Sequence, residues 1–99
     1  MTINRTAENG SIILAVDGEL TAMTAEQLGN AVKTAIGETD CLVLDFRDLE
    51  YVASAGLRVL LEAKKQLDAK KGKFIVRNVS DAVMQIFEIT GFSDMLEIE

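Results

Sequence analysis

Histidine, proline and tryptophan are absent from the 99 residues, and cysteine occurs once. Each gap removes a class of chemistry. Without histidine the chain lacks the commonest general base at neutral pH and the commonest zinc ligand. Cys41 alone cannot close an internal disulfide, and its lone presence fits a reducing compartment. It sits inside the apolar run Cys41–Leu44, so it reads as a small buried hydrophobe. A reactive thiol needs an electropositive, partly exposed setting. The glycine-rich loops that cradle phosphates are missing as well. Neither long apolar run, Ile12–Val16 or Cys41–Leu44, approaches the roughly 20 residues that cross a bilayer. The charged, apolar and small-residue succession of a secretory signal is missing too. A soluble, cytoplasmic protein with no direct membrane insertion is expected. Basic excess is also lacking, since the net charge is −6. That excludes nucleic acid as the main ligand, because phosphate backbones are bound by clustered cations. The local lysine group (Lys64, Lys65, Lys70, Lys71 and Lys73) lies near an expected helix end, where cations complement the macrodipole, and reads as a solvated face.

What is present suffices for one folded domain over residues 1–99. Apolar residues make up 48% and charged ones 26%, a balance that supports a core. Residues 3–7, then Asn9-Gly10, then Ile12–Val16 read as a hairpin, because both turn residues tolerate positive φ. The unbroken apolar run Ile12–Val16 predicts a strand covered on both faces. Thr24 with Gln27 spells a capping box. Ala25, Leu28, Val32 and Ile36 then recur at helical spacing up to Gly37, which suits a left-handed stop. Residues 41–46 form a second buried strand. A second helix runs from Ser54 to Gly72 on Leu57, Leu60, Leu61 and Leu67. Residues 73–78 are a third apolar strand. A third helix is capped by Ser80 and stopped near Gly91, with Val83, Ile86 and Phe87 inward. Residues 92–99 close as a short strand. The order β-β-α-β-α-β-α-β means an α/β domain with a mixed, mostly parallel sheet and one N-terminal antiparallel hairpin strand.

Two places could carry chemistry. Asp45, Asp48 and Glu50 lie near a strand end, where open α/β sheets place ligands. A single stretch offers one or two directed oxygens, too few for a hard cation, so neither metal nor cofactor is expected. The segment Val52-Ala53-Ser54-Ala55-Gly56-Leu57 is the second. Ser54 opens the middle helix, and its hydroxyl reads in two ways. It is a plain N-cap, or it is a phosphate acceptor placed where helix N–H groups and the macrodipole favour added negative charge. Gly56 costs about 1 kcal/mol in a helix against alanine, so something other than propensity keeps it there.

Phe46–Leu67, with Asp48-Leu49 ahead of Ser54-Ala55-Gly56-Leu57, resembles the signature of the STAS domain, the anti-sigma factor antagonist family. Val16–Leu28 and Arg77–Ile98 are similar to the family's flanking segments, and the resemblance covers about Ile12–Ile98. It implies a STAS-type α/β domain that is not an enzyme but a partner switch. The unmodified protein binds an anti-sigma factor with serine kinase activity and frees a sigma factor. Phosphorylation of Ser54 breaks that complex, and a serine phosphatase restores it. The binding surface implied comprises Glu19, Leu20, Thr21, Glu50, Tyr51, Val52, Ala53, Ala55, Gly56 and Arg58, and a monomer is expected. Ala53 and Thr21 stand where the family often has aspartate, which lowers the local negative charge. The alternative is a STAS accessory subunit of an ABC-type membrane transporter.

Overall fold

Asn9 and Gly10 adopt φ of 51° and 84°, so the chain reverses in two residues, with Glu8 opposite Ser11. This hairpin joins β1 (Thr2–Glu8) to β2 (Ser11–Leu20). The computed structural model describes all residues, Met1–Glu99. It continues through α1 (Ala25–Ile36), β3 (Cys41–Asp45), β4 (Leu49–Val52), α2 (Ser54–Ala69), β5 (Lys73–Arg77), α3 (Asp81–Thr90), α4 (Phe92–Met95) and β6 (Glu97–Ile98). The sheet runs β1-β2-β3-β5-β6. β1 is antiparallel to β2 and the other pairs are parallel. Consecutive crossovers thus lay strands side by side, as the pattern requires.

The sequence reading passes over β4. Its burial pattern is Leu49 in, Glu50 and Tyr51 out, Val52 in, which matches no period-2 alternation. It pairs with the far end of β2, outside the main path. β2 reaches it by bending at Gly18, where φ is 115° and the register slips. An L-residue with a Cβ seldom adopts that φ. The bend turns the last residues of β2 from β3 toward β4, and this sets up the candidate site. The C-terminal reading also changes. Phe92, Met95 and Leu96 are spaced as one helical face, so residues 92–95 form a turn of helix, and the final strand shrinks to Glu97–Ile98.

The helices pack on one face of the sheet. Ile12, Leu14, Val16, Leu42, Leu44, Phe74 and Val76 share one core with Leu28, Val32, Leu57, Leu60, Leu67, Val83 and Phe87. β2 is buried on both faces over Ile12–Leu14, as expected, but helices cover only one of them. Ile13, Val43 and Ile75 point the other way and cluster among themselves. They lie in register across β2, β3 and β5. Cross-strand neighbours shield one another there, which explains an unbroken apolar run with no helix above it.

Helix ends divide. Ser80 Oγ accepts from Val83 N at 3.2 Å and α3 stops at Gly91, both as read, with Gly91 left-handed. Gly37 is right-handed at φ −68°, because Gly37 N–H still donates back to Lys33 O. Carbonyls near this end are met instead by Lys70, whose Nζ donates to Ile36 O at 2.7 Å and Thr39 O at 3.2 Å. At the end of α2 the left-handed residue is Lys71, not Gly72. A Cβ on Gly72 would instead meet Asp40 O at 2.5 Å, so close approach accounts for that glycine. Leu61 is only half-buried, and Ala63 takes a core position on α2 instead.

Candidate functional site

The end of β2 and the β4–α2 junction lie together because β2 pairs β4 in parallel, Glu19 beside Tyr51 and Leu20 beside Val52. Ala53 N then donates to Leu20 O at 2.8 Å, which fixes where α2 starts. Ala53 occupies the N-cap in extended conformation, with no side-chain cap. Ser54 is the first residue inside the helix. The plain-cap reading of Ser54 is thus corrected, since a cap side chain must sit one residue earlier to fold back on the first-turn N–H groups. The hydroxyl is left exposed at the helix mouth, where the first N–H groups have no carbonyl a turn before them.

Thr24 departs from its sequence reading too. It forms no side-chain cap, and Gln27 reaches Met1 O instead of closing a capping box. Thr24 Oγ1 accepts from Thr21 N at 2.8 Å and donates to Glu19 O at 2.8 Å. Thr21 Oγ1 in turn accepts from Met23 N at 3.2 Å. These bonds tie residues 19–24 into a fixed loop beside the α2 start. Met23 projects from it at 93% exposure. The sequence reading missed Met23, and the available signal was an apolar side chain stranded in the polar stretch Thr21–Thr24.

The predicted residues separate by burial. Glu19, Glu50, Tyr51, Ser54 and Arg58 are exposed, and Thr21, Ala53 and Ala55 are partly so. Leu20, Val52 and Gly56 are buried, so the Leu20 and Val52 side chains lie in the core and Gly56, which has none, lets the start of α2 pack against them. Leu20 has no exposed surface. A Cβ on Gly56 would meet Leu20 Cγ at 2.4 Å and Cδ2 at 2.6 Å, so glycine is there because α2 starts against Leu20. A groove of about 410 Å³ opens between α1 and α2, with Ala55, Arg58 and Val59 on one wall and Ala25, Gly29 and Lys33 on the other.

The acidic residues near the strand ends do not act as a unit. Asp45 Oδ1 accepts from Asn78 Nδ2 and Arg47 N, each at 3.1 Å, and Oδ2 lies 3.5 Å from Arg77 Nε. Asp48 and Glu50 are exposed. Burial pushes the Asp45 carboxyl up, but the two hydrogen bonds and the Arg77 and Arg47 charges outweigh it and hold it below its ordinary 3.8. A depressed folded-state value stabilises the fold above the unfolded value and loses that contribution as pH falls through the folded one. Asp45→Asn should therefore cost about 1 kcal/mol at pH 7, where charged hydrogen bonds are intact. The gap to wild type should close as pH drops past 3.8. Urea unfolding of both proteins at several pH values tests this, and a gap that persists at the acid end refutes it.

The family model for the STAS domain matches residues 2–99. The anti-sigma-B factor antagonist of Listeria monocytogenes is 34% identical over 89 residues, spanning 89% of this chain and 78% of that protein. An anti-sigma factor antagonist structure from Mycobacterium paratuberculosis superposes with a TM-score of 0.90 at 24% identity, covering 98% of this chain and 83% of that one. The Bacillus cell fate determinant SpoIIAA in its phosphorylated form gives 0.77 at 22% identity, covering 99% and 91%. At such identities the two structures speak for the fold alone.

Proposed function

The chain belongs to the STAS domain family, and from that premise we propose that it is an anti-sigma factor antagonist switched by phosphorylation of Ser54. The observation that carries this reading is the Ser54 hydroxyl, exposed at the first turn of α2 and not engaged as a cap. A structural serine at a helix start would fold back on the backbone. This one is free to meet a second protein.

In the proposed cycle the unmodified chain binds an anti-sigma factor through the rim around Ser54. Tyr51, 46% exposed, and Met23 supply apolar contact, and Glu19, Thr21, Glu50, Ala53, Ala55 and Arg58 supply the polar surround. The partner carries serine kinase activity. Its transfer step forms the Ser54 Oγ–P bond, breaks the β–γ phosphoanhydride of ATP, and passes the hydroxyl proton to a base on the kinase. The product carries about −1.5 to −2 charges. Glu19 and Glu50 already make the rim acidic, so the added charge cannot be desolvated within a tight interface. Release follows, and a serine phosphatase restores the binding form. The chain itself supplies no catalytic group in this scheme and acts as a monomer in the cytoplasm. Its helices include none long and apolar enough to cross a membrane.

The test mixes this protein with the anti-sigma factor kinases of its own organism and ATP, and maps the modification by mass spectrometry. A single phosphoryl group on Ser54, with dissociation of the complex, is the expected result. Modification elsewhere, or no complex with any of them, overturns the reading. Capture of an ABC-type transporter subunit in the same assay would favour the accessory-subunit alternative.

A further inference from the structure

Arg58 follows Ser54 by four residues on α2, so the two share an exposed face one turn apart. Helical side chains lean toward the N-terminus, which lays a long residue over the turn before it. Arg58 lines the same groove as Ala55. Its guanidinium is uncommitted, because none of the ion pairs in the fold includes Arg58. The first turn of α2 holds no acidic residue to compete. Across the groove α1 presents Glu26 and Lys33, and α2 itself presents Glu62. Glu62 follows Arg58 in the less favourable order for a helical ion pair. Arg58 is also the single cation among the residues assigned to the rim.

We infer that Arg58 clamps the phosphoryl group on Ser54. The inference rests on the reading of Ser54 as the acceptor. A guanidinium offers two parallel N–H donors to a phosphate, a geometry an ammonium lacks. Capture has two effects at once. It holds the phosphoryl group against the helix mouth, and it removes the rim's positive charge from any partner. Phosphorylation then changes the rim twice, by adding negative charge and by sequestering the cation.

The experiment installs phosphoserine at position 54 during translation, so no kinase is needed, and follows the phosphate by ³¹P NMR as pH is varied. The second phosphate ionisation, ordinarily near pH 6, should rise by about 0.4 units in Arg58→Gln, the size of a helical i,i+4 pair. The difference should largely vanish at about 1 M salt. Arg58→Lys keeps the charge but lacks the paired donors, so it should recover only part of the wild-type value, and full recovery would overturn the clamp in favour of a nearby charge alone. Superimposed titrations of wild type and Arg58→Gln overturn the clamp even where Ser54 is the acceptor. A phosphoryl group mapped elsewhere in the kinase experiment overturns it by removing its premise, and the two failures are told apart by which measurement gives them.

Discussion

Replacing Ser54 by aspartate should lower affinity for the anti-sigma factor by about 10²- to several-thousand-fold, and replacing it by alanine should leave affinity within about threefold. The first figure follows from an uncompensated charge held in an interface, which costs about 3–5 kcal/mol. The second follows from the hydroxyl's place. It is exposed and makes no cap, so its loss removes no intramolecular bond and moves stability by no more than about 0.5 kcal/mol. A second measurement separates switch from damage. A carboxylate in the first turn of a helix complements the macrodipole and should raise the unfolding free energy by about 0.3–1 kcal/mol. Ser54→Asp should therefore bind worse while being more stable. Calorimetric titration with the partner gives the first quantity and urea denaturation the second. Wild-type affinity in Ser54→Asp would sink the switch. Lost stability would show instead that the serine holds the helix start together.

The residues that make regular, long-range patterns announce the fold. Leu28, Val32 and Ile36 mark α1, Leu57, Leu60 and Leu67 mark α2, and Asn9-Gly10 marks the hairpin, each through a local periodicity or turn preference. β4 was not legible because four residues are too few to display a period. It exists through pairing with β2 beyond the Gly18 bend, a tertiary cause. For the same reason Gly37 misled, and α2, read to Gly72, ends earlier at Ala69. Glycine permits a left-handed stop but does not require one, and at Gly72 the carbonyl of Asp40 is what excludes a side chain. At the candidate site the motif located Ser54, Tyr51 and Arg58 on the exposed rim. It could not separate them from Leu20, Val52 and Gly56, because adjacent residues in a motif share sequence but not solvent. Met23 escaped because its exposure depends on the Thr21–Thr24 hydrogen bonds that shape the loop. Those bonds need coordinates to be seen.

Gly56→Ala should destabilise the domain by about 2 kcal/mol, although alanine is the better helix former. The intrinsic preference favours alanine by about 1 kcal/mol. Against it stands a new methyl group 2.4 Å from Leu20 Cγ and 3.2 Å from Val52 Cγ1. Leu20 is fully buried and Val52 nearly so, and neither can swing into solvent. Overpacking of this kind costs about 1–3 kcal/mol, and the 2.4 Å approach to a fixed core atom puts it at the upper end, so about 2 kcal/mol remains after the helix preference is subtracted, which in a domain this small lowers the melting temperature by about 8–16 °C. The cause is checked by repeating the substitution in a Leu20→Ala background. Leu20→Ala alone leaves a cavity costing about 2–5 kcal/mol. There the Leu20 contacts are gone and only the 3.2 Å approach to Val52 Cγ1 remains, so Gly56→Ala should become close to neutral, for a coupling of about 2 kcal/mol between the two sites. Equal penalties in both backgrounds would disprove contact with Leu20 as the reason for the glycine. The same contact links core to function, since Leu20 ends β2 and its carbonyl receives Ala53 N at the head of α2. A shift of Leu20 moves the loop bearing Glu19, Thr21 and Met23 against Ser54. Gly56→Ala protein that remains folded below its melting temperature should consequently bind the partner less tightly, without any change at an exposed residue.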